Sequence, residues 1–155
     1  MKSIRFKNIG ICLSLFIFIC TATMSQTSYV LNPENSKMTI LGTSSLHDWE
    51  MVVRDINCSA KLTTDGKNIS GIQDTRFSAI STSIVSDYKL MDKKTYDALK
   101  AEEFSSINFK MIDGEILSVT GDKFNGMVTG YLSIAGQTKE VKVPFSGRLL
   151  ENGQL

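Results

Sequence analysis

A histidine and an aspartate stand side by side at positions 47 and 48, and they are the pair best suited to chemistry in this chain. His47 is the single histidine of the sequence. Imidazole is the usual general base, and a carboxylate can orient it. Neighbouring strand residues, however, point to opposite faces, so Asp48 is badly placed to support His47. Ser44 and Ser45 are close by, but no convincing nucleophile stands out. We therefore predict no catalytic residue and a structural or ligand-orienting role for His47.

Metal and thiol chemistry are also disfavoured. Of the three cysteines, Cys12 and Cys20 lie in the N-terminal segment and Cys58 in the main part of the chain. One histidine and one cysteine fall short of the three or four ligands that zinc needs, so we predict no metal site and no cofactor. Cys58 has apolar neighbours at positions 56 and 60. This spacing favours a buried small hydrophobe on a strand over a reactive thiol.

The first 25 residues have the pattern of a cleavable secretory signal peptide. Residues 1–7 carry three cations and no acid, residues 9–20 form an apolar run, and small and polar residues follow. This order is typical of export signals, and the apolar run is shorter than the about 20 residues that a spanning helix needs. We place cleavage after Ser25. The prediction is a periplasmic protein that begins at Gln26, without stable membrane insertion; an uncleaved anchor is the alternative.

Residues 26–155 are predicted to form one domain. Without the three cations of the signal, the chain keeps 14 basic and 16 acidic residues, a net charge of −2. It therefore has no basic excess to attract nucleic acid or an anionic membrane surface. Pro33 and Pro144 are its two prolines, and no low-complexity run interrupts it. This composition gives no sign of a linker or a second domain.

Period-two alternation dominates this domain and indicates half-buried strands. The predicted strands are residues 37–43, 49–62 with a β-bulge after Asp55, 69–73, 76–84, 106–112, 123–134 and 138–149. Turns are predicted at residues 64–68, around an Asp-Gly pair, and at residues 135–137. A sandwich and a barrel both fit many short antiparallel strands. The long strand that bends at its bulge favours the barrel.

One segment, residues 87–104, interrupts the alternation and is rich in helix formers. Asp92 is predicted to cap a helix over residues 93–100, with Tyr96 and Leu99 on one face. A helix of two or three turns is a connection packed on a sheet. The fold class is therefore all-β: a lipocalin-like antiparallel β-barrel with one short helical insertion around residues 87–104. Such a barrel can hold one small or elongated ligand.

Three segments of the sequence resemble the YceI-like family. Residues 44–49, Ser-Ser-Leu-His-Asp-Trp, are similar to the S-x-L-H-D-W form of periplasmic members. Residues 90–109 resemble the helical connection and the strand after it, although Phe104-Ser105 stands where members usually have Tyr-Pro. Residues 128–139 resemble the v-x-G-x-L-[ST]-i-x-G-x-T-K hairpin. The resemblance covers about residues 29–149. It implies an exported, non-enzymatic barrel that binds a lipid, such as a polyisoprenoid.

The resemblance implies that the ligand lies inside the barrel. Ten residues are candidates for its lining: Met38, Ile40, His47, Trp49, Met51, Phe109, Val128, Gly130, Leu132 and Ile134. His47 would hydrogen-bond a polar head near one mouth. Gly130 sits where a side chain would narrow the interior, so a ligand or a bulky neighbour could approach the backbone. Two alternatives stay open: a packed barrel that acts as a structural or stress-related interaction module without a ligand, and an enzyme on lipid-like substrates that needs His47.

Family members continue with strands that close the barrel, whereas this sequence stops at Leu155. Asn152-Gly153 is a strong hairpin signal, but only two residues follow it. We therefore expect a barrel that is incomplete at its C-terminal end, with an open seam. Unpaired strand edges at such a seam favour aggregation or domain swapping, and they allow a homodimer.

Overall fold

The computed structural model describes residues 25–45, 47–65 and 68–150. The predicted signal peptide, except for its last residue, and the predicted Asn152-Gly153 turn lie outside these ranges. The elements are β1 Ser25–Val30, β2 Met38–Thr43, β3 Asp48–Val53, β4 Ile56–Asp65, β5 Asn68–Ile80, β6 Ile84–Val85, α1 Lys89–Leu99, β7 Ser106–Thr120, β8 Lys123–Ile134 and β9 Gln137–Arg148. In this part of the chain, no helix is long and apolar enough to cross a bilayer.

The strands form two antiparallel sheets. The large sheet has the order β1-β4-β5-β7-β8-β9, and the small sheet has the order β2-β3-β6. The all-β fold with one short helix is therefore confirmed. Among the described residues, no ladder pairing joins the two sheets, so β1 and β9 are the edges of the large sheet. This open arrangement agrees with the prediction of an incomplete barrel.

The predicted bulged strand over residues 49–62 is wrong, because the chain changes sheets there. β3 ends at Val53 in the small sheet, and β4 begins at Ile56 in the large one. The Arg54 N–H donates to the Ser83 carbonyl at 3.1 Å, and the Asp55 carbonyl accepts from the Ile80 N–H at 3.1 Å. The parity slip in the sequence thus marks a corner between two sheets.

The hairpin of β8 and β9 follows the sequence closely. Ile134 pairs with Gln137, so Ala135 and Gly136 form a two-residue loop. Both have positive φ, 49° and 77°, which is the signature of the type I′ turn that suits the twist of a hairpin. The predicted loop is confirmed but is one residue shorter, because Gln137 begins β9, and β8 has the predicted bounds.

β7 continues to Thr120, well beyond the predicted end at residue 112. Its Asp113-Gly114 pair is a common turn signal, yet the strand passes straight through it. Two register shifts against β8, between Met111 and Asp113 and between Ile116 and Ser118, absorb the irregularity. The sequence signal for a turn therefore corresponds to bulges in a continuous strand.

The helix α1 begins four residues earlier than predicted, and Asp92 does not cap it. The Asp92 Oδ1 atom accepts from the Ser86 N–H at 2.7 Å and from the Ser86 hydroxyl at 2.8 Å. It thus ties the first turn of the helix to the preceding loop. The helix ends at Leu99, and the next residue, Lys100, has a left-handed backbone with φ 50°. Met91 and Leu99 pack against the core beneath the small sheet.

Two groups of buried side chains form the interior. The group that we call the closed core comprises Met51, Val53, Ile56, Ala79 and Ile84. It lies where the small sheet, α1 and one end of the large sheet meet. The group that we call the open core comprises Leu62, Ile69, Ile72, Phe109, Phe124 and Val128, all on the large sheet.

Candidate functional site: an apolar cavity on the large sheet

Two cavities border the large sheet: one of about 420 Å³ at the end of β7–β9 near Thr120 and Arg148, and a larger one of about 580 Å³ over the open core, called here the inner cavity. The inner cavity lies in the size range of small-molecule sites, roughly 300–1,000 Å³. Its lining consists of Met38, Cys58, Ala60, Leu62, Ile72, Thr75, Phe77, Phe109, Phe124, Val128, Leu132, Val143, Phe145, Ser146 and Gly147. Of these described residues, none is charged. The cavity is therefore suited to an uncharged, mainly apolar molecule.

Four of the ten candidate residues line this cavity: Met38, Phe109, Val128 and Leu132. Whether any of them binds a ligand stays a prediction, but their alternation placed them on the correct face. The lining also includes Ala60, Ile72 and Phe77, which the sequence analysis did not single out. Each lies on a strand with clear alternation. The missing information was which strand faces are covered by a second layer.

Three further candidates, Ile40, Trp49 and Met51, belong to the closed core and its surroundings instead of the cavity wall. Met51 is only 2% exposed, and its sulfur accepts a hydrogen bond from the Thr95 hydroxyl at 3.4 Å. Trp49 lies against Gly42, its partner across the β2–β3 ladder. These three residues face inward as predicted, but the small sheet carries them to a different part of the interior.

His47 is exposed in the connection between β2 and β3, outside the cavity lining. Its backbone N–H donates to the Ser44 hydroxyl at 3.3 Å, and that hydroxyl donates to the His47 carbonyl at 2.8 Å. Asp48 is also exposed and begins β3. The His-Asp-Trp segment therefore shapes the turn and the small sheet. The structure does not place His47 at a mouth of the cavity.

Gly130 and Ile134 complete the ten candidates, and neither lines the cavity. Ile134 is half-buried at the end of β8. Gly130 lies beneath the ring of Phe109: a Cβ atom on this glycine would lie 2.6 Å from the Phe109 Cζ. The close approach predicted at Gly130 is thus made by the Lys110 carbonyl oxygen, 2.5 Å from that Cβ position, and by the bulky Phe109 ring.

The same contact between a phenylalanine and a glycine recurs on the large sheet. A Cβ atom on Gly126 would lie 2.6 Å from the Phe145 Cζ, and one on Gly147 would lie 2.5 Å from the Phe124 Cζ. The rings of Phe124 and Phe145 meet edge to face, with centroids 6.2 Å apart. Aromatic rings that cover strand glycines protect the backbone where a side chain is missing. Here they also form the cavity wall.

Cys58 lies on this wall and is half-buried. Burial raises the pKa of its thiol, because a thiolate is poorly solvated among apolar side chains. The thiol is therefore neutral at physiological pH, which makes it a weak donor and a poor nucleophile. The prediction of a small hydrophobe describes its chemistry, although Cys58 faces a cavity and not a packed core.

A bulge in β5 brings Thr75 into the wall. Asp74 has a left-handed backbone with φ 51°, and the register against β4 shifts between Ser59 and Lys61. On the outer surface of the sheet, the Lys61 ammonium group donates a hydrogen bond to the Asp74 carboxylate, at a distance of 2.6 Å. This hydrogen bond and the charge of Lys61 lower the pKa of Asp74. The next residue, Thr75, lines the cavity.

The Thr75 hydroxyl oxygen is buried and has no hydrogen-bond partner among the described residues. Leaving a hydroxyl without a partner in an apolar site costs about 1–3 kcal/mol. Nothing in the sequence alternation could have revealed this group, because the bulge that turns it inward depends on the pairing of β4 with β5.

The fold and the cavity define a binding protein on an antiparallel β-sheet framework. The sequence matches the YceI-like domain over residues 29–152, so the chain belongs to the YceI-like family. A structure of Burkholderia cenocepacia BcnA is 20% identical, with a TM-score of 0.56 over 73% of this chain and 68% of that one. It supports the shared fold.

Two structures of a Campylobacter jejuni YceI protein are also similar. One is 14% identical and covers 93% of this chain and 67% of that one, with a TM-score of 0.40. A mutant with a monobromobimane guest structure is 14% identical and covers 99% of this chain and 74% of that one, with a TM-score of 0.42. Comparison with curated proteins finds no match.

Proposed function

We propose that this chain is a non-enzymatic periplasmic protein that carries or sequesters a long apolar ligand, an isoprenoid or another lipid. The observation that supports this proposal is the cavity of about 580 Å³ with an uncharged lining. Each methylene group that moves from water into such a site contributes roughly 0.8 kcal/mol. Ten buried methylenes would contribute about 8 kcal/mol before the cost of ordering the ligand, so micromolar or weaker affinity is the realistic range.

Export belongs to the same proposal. Residues 1–25 have the composition of a signal peptide, and a carrier of water-insoluble molecules is useful in the aqueous space between two membranes. The full chain should be expressed in a Gram-negative host and the periplasmic fraction analysed by N-terminal sequencing. A product that begins at Gln26 supports export, whereas uncleaved chain in the cytoplasm contradicts it.

Lipid occupancy can be tested with a variant that fills the cavity. In Ala60→Phe, a ring would occupy part of the wall near Cys58 and Leu62. Ala98 is exposed on α1, so Ala98→Phe adds the same ring away from the cavity and serves as the control. Lipids should be extracted from each purified full-length protein and measured by mass spectrometry.

We expect bound lipid in the wild type and in Ala98→Phe, and a several-fold lower amount in Ala60→Phe. Because overpacking costs about 1–3 kcal/mol, thermal unfolding must show that Ala60→Phe is folded. Protein that is repeatedly recovered without lipid, and that binds none when lipid is added, would contradict the proposal.

The two alternatives make different demands. An interaction module without a ligand needs a filled interior, and the cavity of about 580 Å³ favours lipid binding over it. A lipid-modifying enzyme of the kind considered above would depend on His47. If any such activity is detected, an unchanged rate in His47→Ala excludes that version.

A further inference from the structure

The two cavities of the large sheet adjoin at one end of it. The smaller one, of about 420 Å³ and called here the end cavity, shares Phe124, Ser146 and Gly147 with the lining of the inner cavity. The rest of its lining is polar: Ser118, Thr120, Lys123, Asn125 and Arg148. A long molecule can therefore occupy both cavities, with an apolar part in the inner cavity and a polar part in the end cavity.

The strand β9 lies between the polar residues of the end cavity and the inner cavity. Phe124 pairs with Gly147 across the ladder, and Lys123 pairs with Arg148 at the next position. Because successive pairs point to opposite faces of a sheet, the two cations point away from the face that carries the Phe124 ring. In the described part of the chain, β9 is the edge of the sheet. A lipid chain can thus pass around this edge at Ser146 and Gly147.

A proline prevents regular strand pairing along this part of the edge. Hydrogen-bonded and non-hydrogen-bonded pairs alternate in an antiparallel ladder, and the two-residue loop makes Ile134 and Gln137 a hydrogen-bonded pair. The unbroken register then makes Met127 and Pro144 a non-hydrogen-bonded pair. The nitrogen of Pro144 therefore points to the free edge, where it has no N–H to offer another strand. The adjacent Val143 lines the inner cavity and is still 41% exposed, so the inner cavity is open beside this edge.

The end cavity has an excess of positive charge and of hydrogen-bond donors. Arg148 is paired with Asp122, with 3.2 Å between Nε and Oδ2, whereas no acid among the described residues pairs with Lys123. The Ser118 hydroxyl donates to the Asn125 amide oxygen at 3.1 Å, which leaves the amide N–H groups to donate elsewhere. Cations together with such donors suit an anionic group that has several oxygens, a phosphate or a carboxylate.

We propose that the ligand is an amphiphile with an anionic head: its chain fills the inner cavity and passes the β9 edge at Ser146 and Gly147, and its phosphate or carboxylate lies in the end cavity beside Lys123 and Arg148. This inference rests on the proposed function and adds the class of ligand to it. The head stays outside the inner cavity, whose uncharged wall would leave it without a partner. Because the end cavity is exposed to solvent, its contribution to affinity is modest and decreases with salt.

The test compares hexadecyl phosphate, palmitate and hexadecanol, which share one chain length, on the full-length protein after removal of lipid. Binding is measured by competition with a fluorescent lipid at low salt and at about 0.5 M salt. Lys123→Gln removes the cation and keeps a polar side chain. Lys142→Gln is the matched control, because Lys142 lies on the same face of β9 as Arg148 but lines neither cavity.

We expect the wild type to bind the two anionic probes about two- to fivefold more tightly than hexadecanol at low salt, and to lose most of this preference at high salt. Lys123→Gln should lose most of the preference at low salt and keep its affinity for hexadecanol. Lys142→Gln should behave like the wild type. A larger gain for hexadecyl phosphate than for palmitate assigns a phosphate head and the reverse a carboxylate, and both results support the proposal.

Two results would contradict the anionic head and leave lipid binding intact. One is equal affinity of the wild type for all three probes, and the other is an equal loss of the preference in Lys123→Gln and Lys142→Gln. Failure of the wild type to bind any of the three probes would overturn both proposals.

Discussion

The closed core and the open core have similar composition but different surroundings. In the closed core, Ile84 and Met51 are 1% and 2% exposed, and side chains from α1 pack against this group from outside the sheets. In the open core, Ile72 and Phe109 are nearly as buried, but they border a cavity of about 580 Å³. One half of the interior is thus filled by the protein itself, and the other half has room for a second molecule. Burial alone does not distinguish the two.

The largest expected effect is the difference between matched isoleucine truncations in the two cores. Ile84→Ala should lower the free energy of unfolding by about 3–5 kcal/mol, because the closed core cannot collapse around the void. Ile72→Ala should cost about 2 kcal/mol, since one side of Ile72 already faces the cavity. Denaturant unfolding of both variants measures this. Equal losses would show that the two cores are packed alike.

A glycine beneath a ring should be the next most sensitive position. In Gly126→Ala, the new Cβ would lie 2.3 Å from the Glu115 carbonyl oxygen and 2.6 Å from the Phe145 ring, so we expect a loss of about 2–3 kcal/mol. Gly71→Ala is the control on the same sheet, because its nearest neighbour, the Thr63 Cβ, is 3.5 Å away. We expect no loss of stability there. Chemical denaturation checks both, and a tolerated Gly126→Ala would mean that the Glu115 carbonyl and the Phe145 ring both move away at little cost.

A smaller effect is expected where α1 begins. Asp92→Ala removes the acceptor of two hydrogen bonds from Ser86, and should lower the free energy of unfolding by about 1–2 kcal/mol. Asp92→Asn keeps an acceptor oxygen and should lose less. Because this contact lies at α1, which packs against the closed core and does not line the cavity, lipid binding should be unchanged in both variants. A loss of binding would show that α1 also controls the cavity.

The smallest effect concerns pH and the Cys58 thiol. Because burial raises its pKa in the folded state, the contribution of the neutral thiol to stability is complete below the ordinary thiol value of about 8.5. It is lost as the pH rises through the folded-state pKa. Cys58→Ala should therefore show a weaker loss of stability in alkaline solution than the wild type. Thermal unfolding of both proteins from neutral to alkaline pH measures the difference, and parallel curves would contradict it.

Alternation along the chain predicted a strand best where the two strands that pair with it in the sheet are also the strands before and after it in the sequence. β8 and the Ala135-Gly136 turn are examples, because a hairpin is specified locally. The corner between Val53 and Ile56 was mistaken for a bulge, since a sheet change and a bulge give the same slip in parity. The bulge at Asp74 was not predicted, because it lies between two separately predicted strands, residues 69–73 and 76–84, and so gives no parity slip within either of them.

The candidate site was harder to predict than the strands. His47 stood out for its chemistry, but side-chain type says nothing about distance from a cavity, and the structure places it in an exposed turn. Met51 had the correct inward parity and reached the other core. Thr75 could not be predicted as a lining residue, because its orientation depends on the bulge at Asp74. That its hydroxyl has no hydrogen-bond partner among the described residues is a property of the tertiary structure alone. The alternation of a strand predicts which of its side chains share a face of the sheet. Only the tertiary structure shows whether that face borders the cavity or the closed core.

The glycine and phenylalanine contacts on the large sheet have an evolutionary consequence. Gly147 and Phe124 occupy space jointly, so a larger residue at the glycine is acceptable only with a smaller one at the ring position. Such paired exchanges would change the shape of the cavity while the strands stay in register. Because a structure that shares the fold is only 20% identical to this chain, we expect these positions to vary together, and different members of the family to fit different ligands by this route.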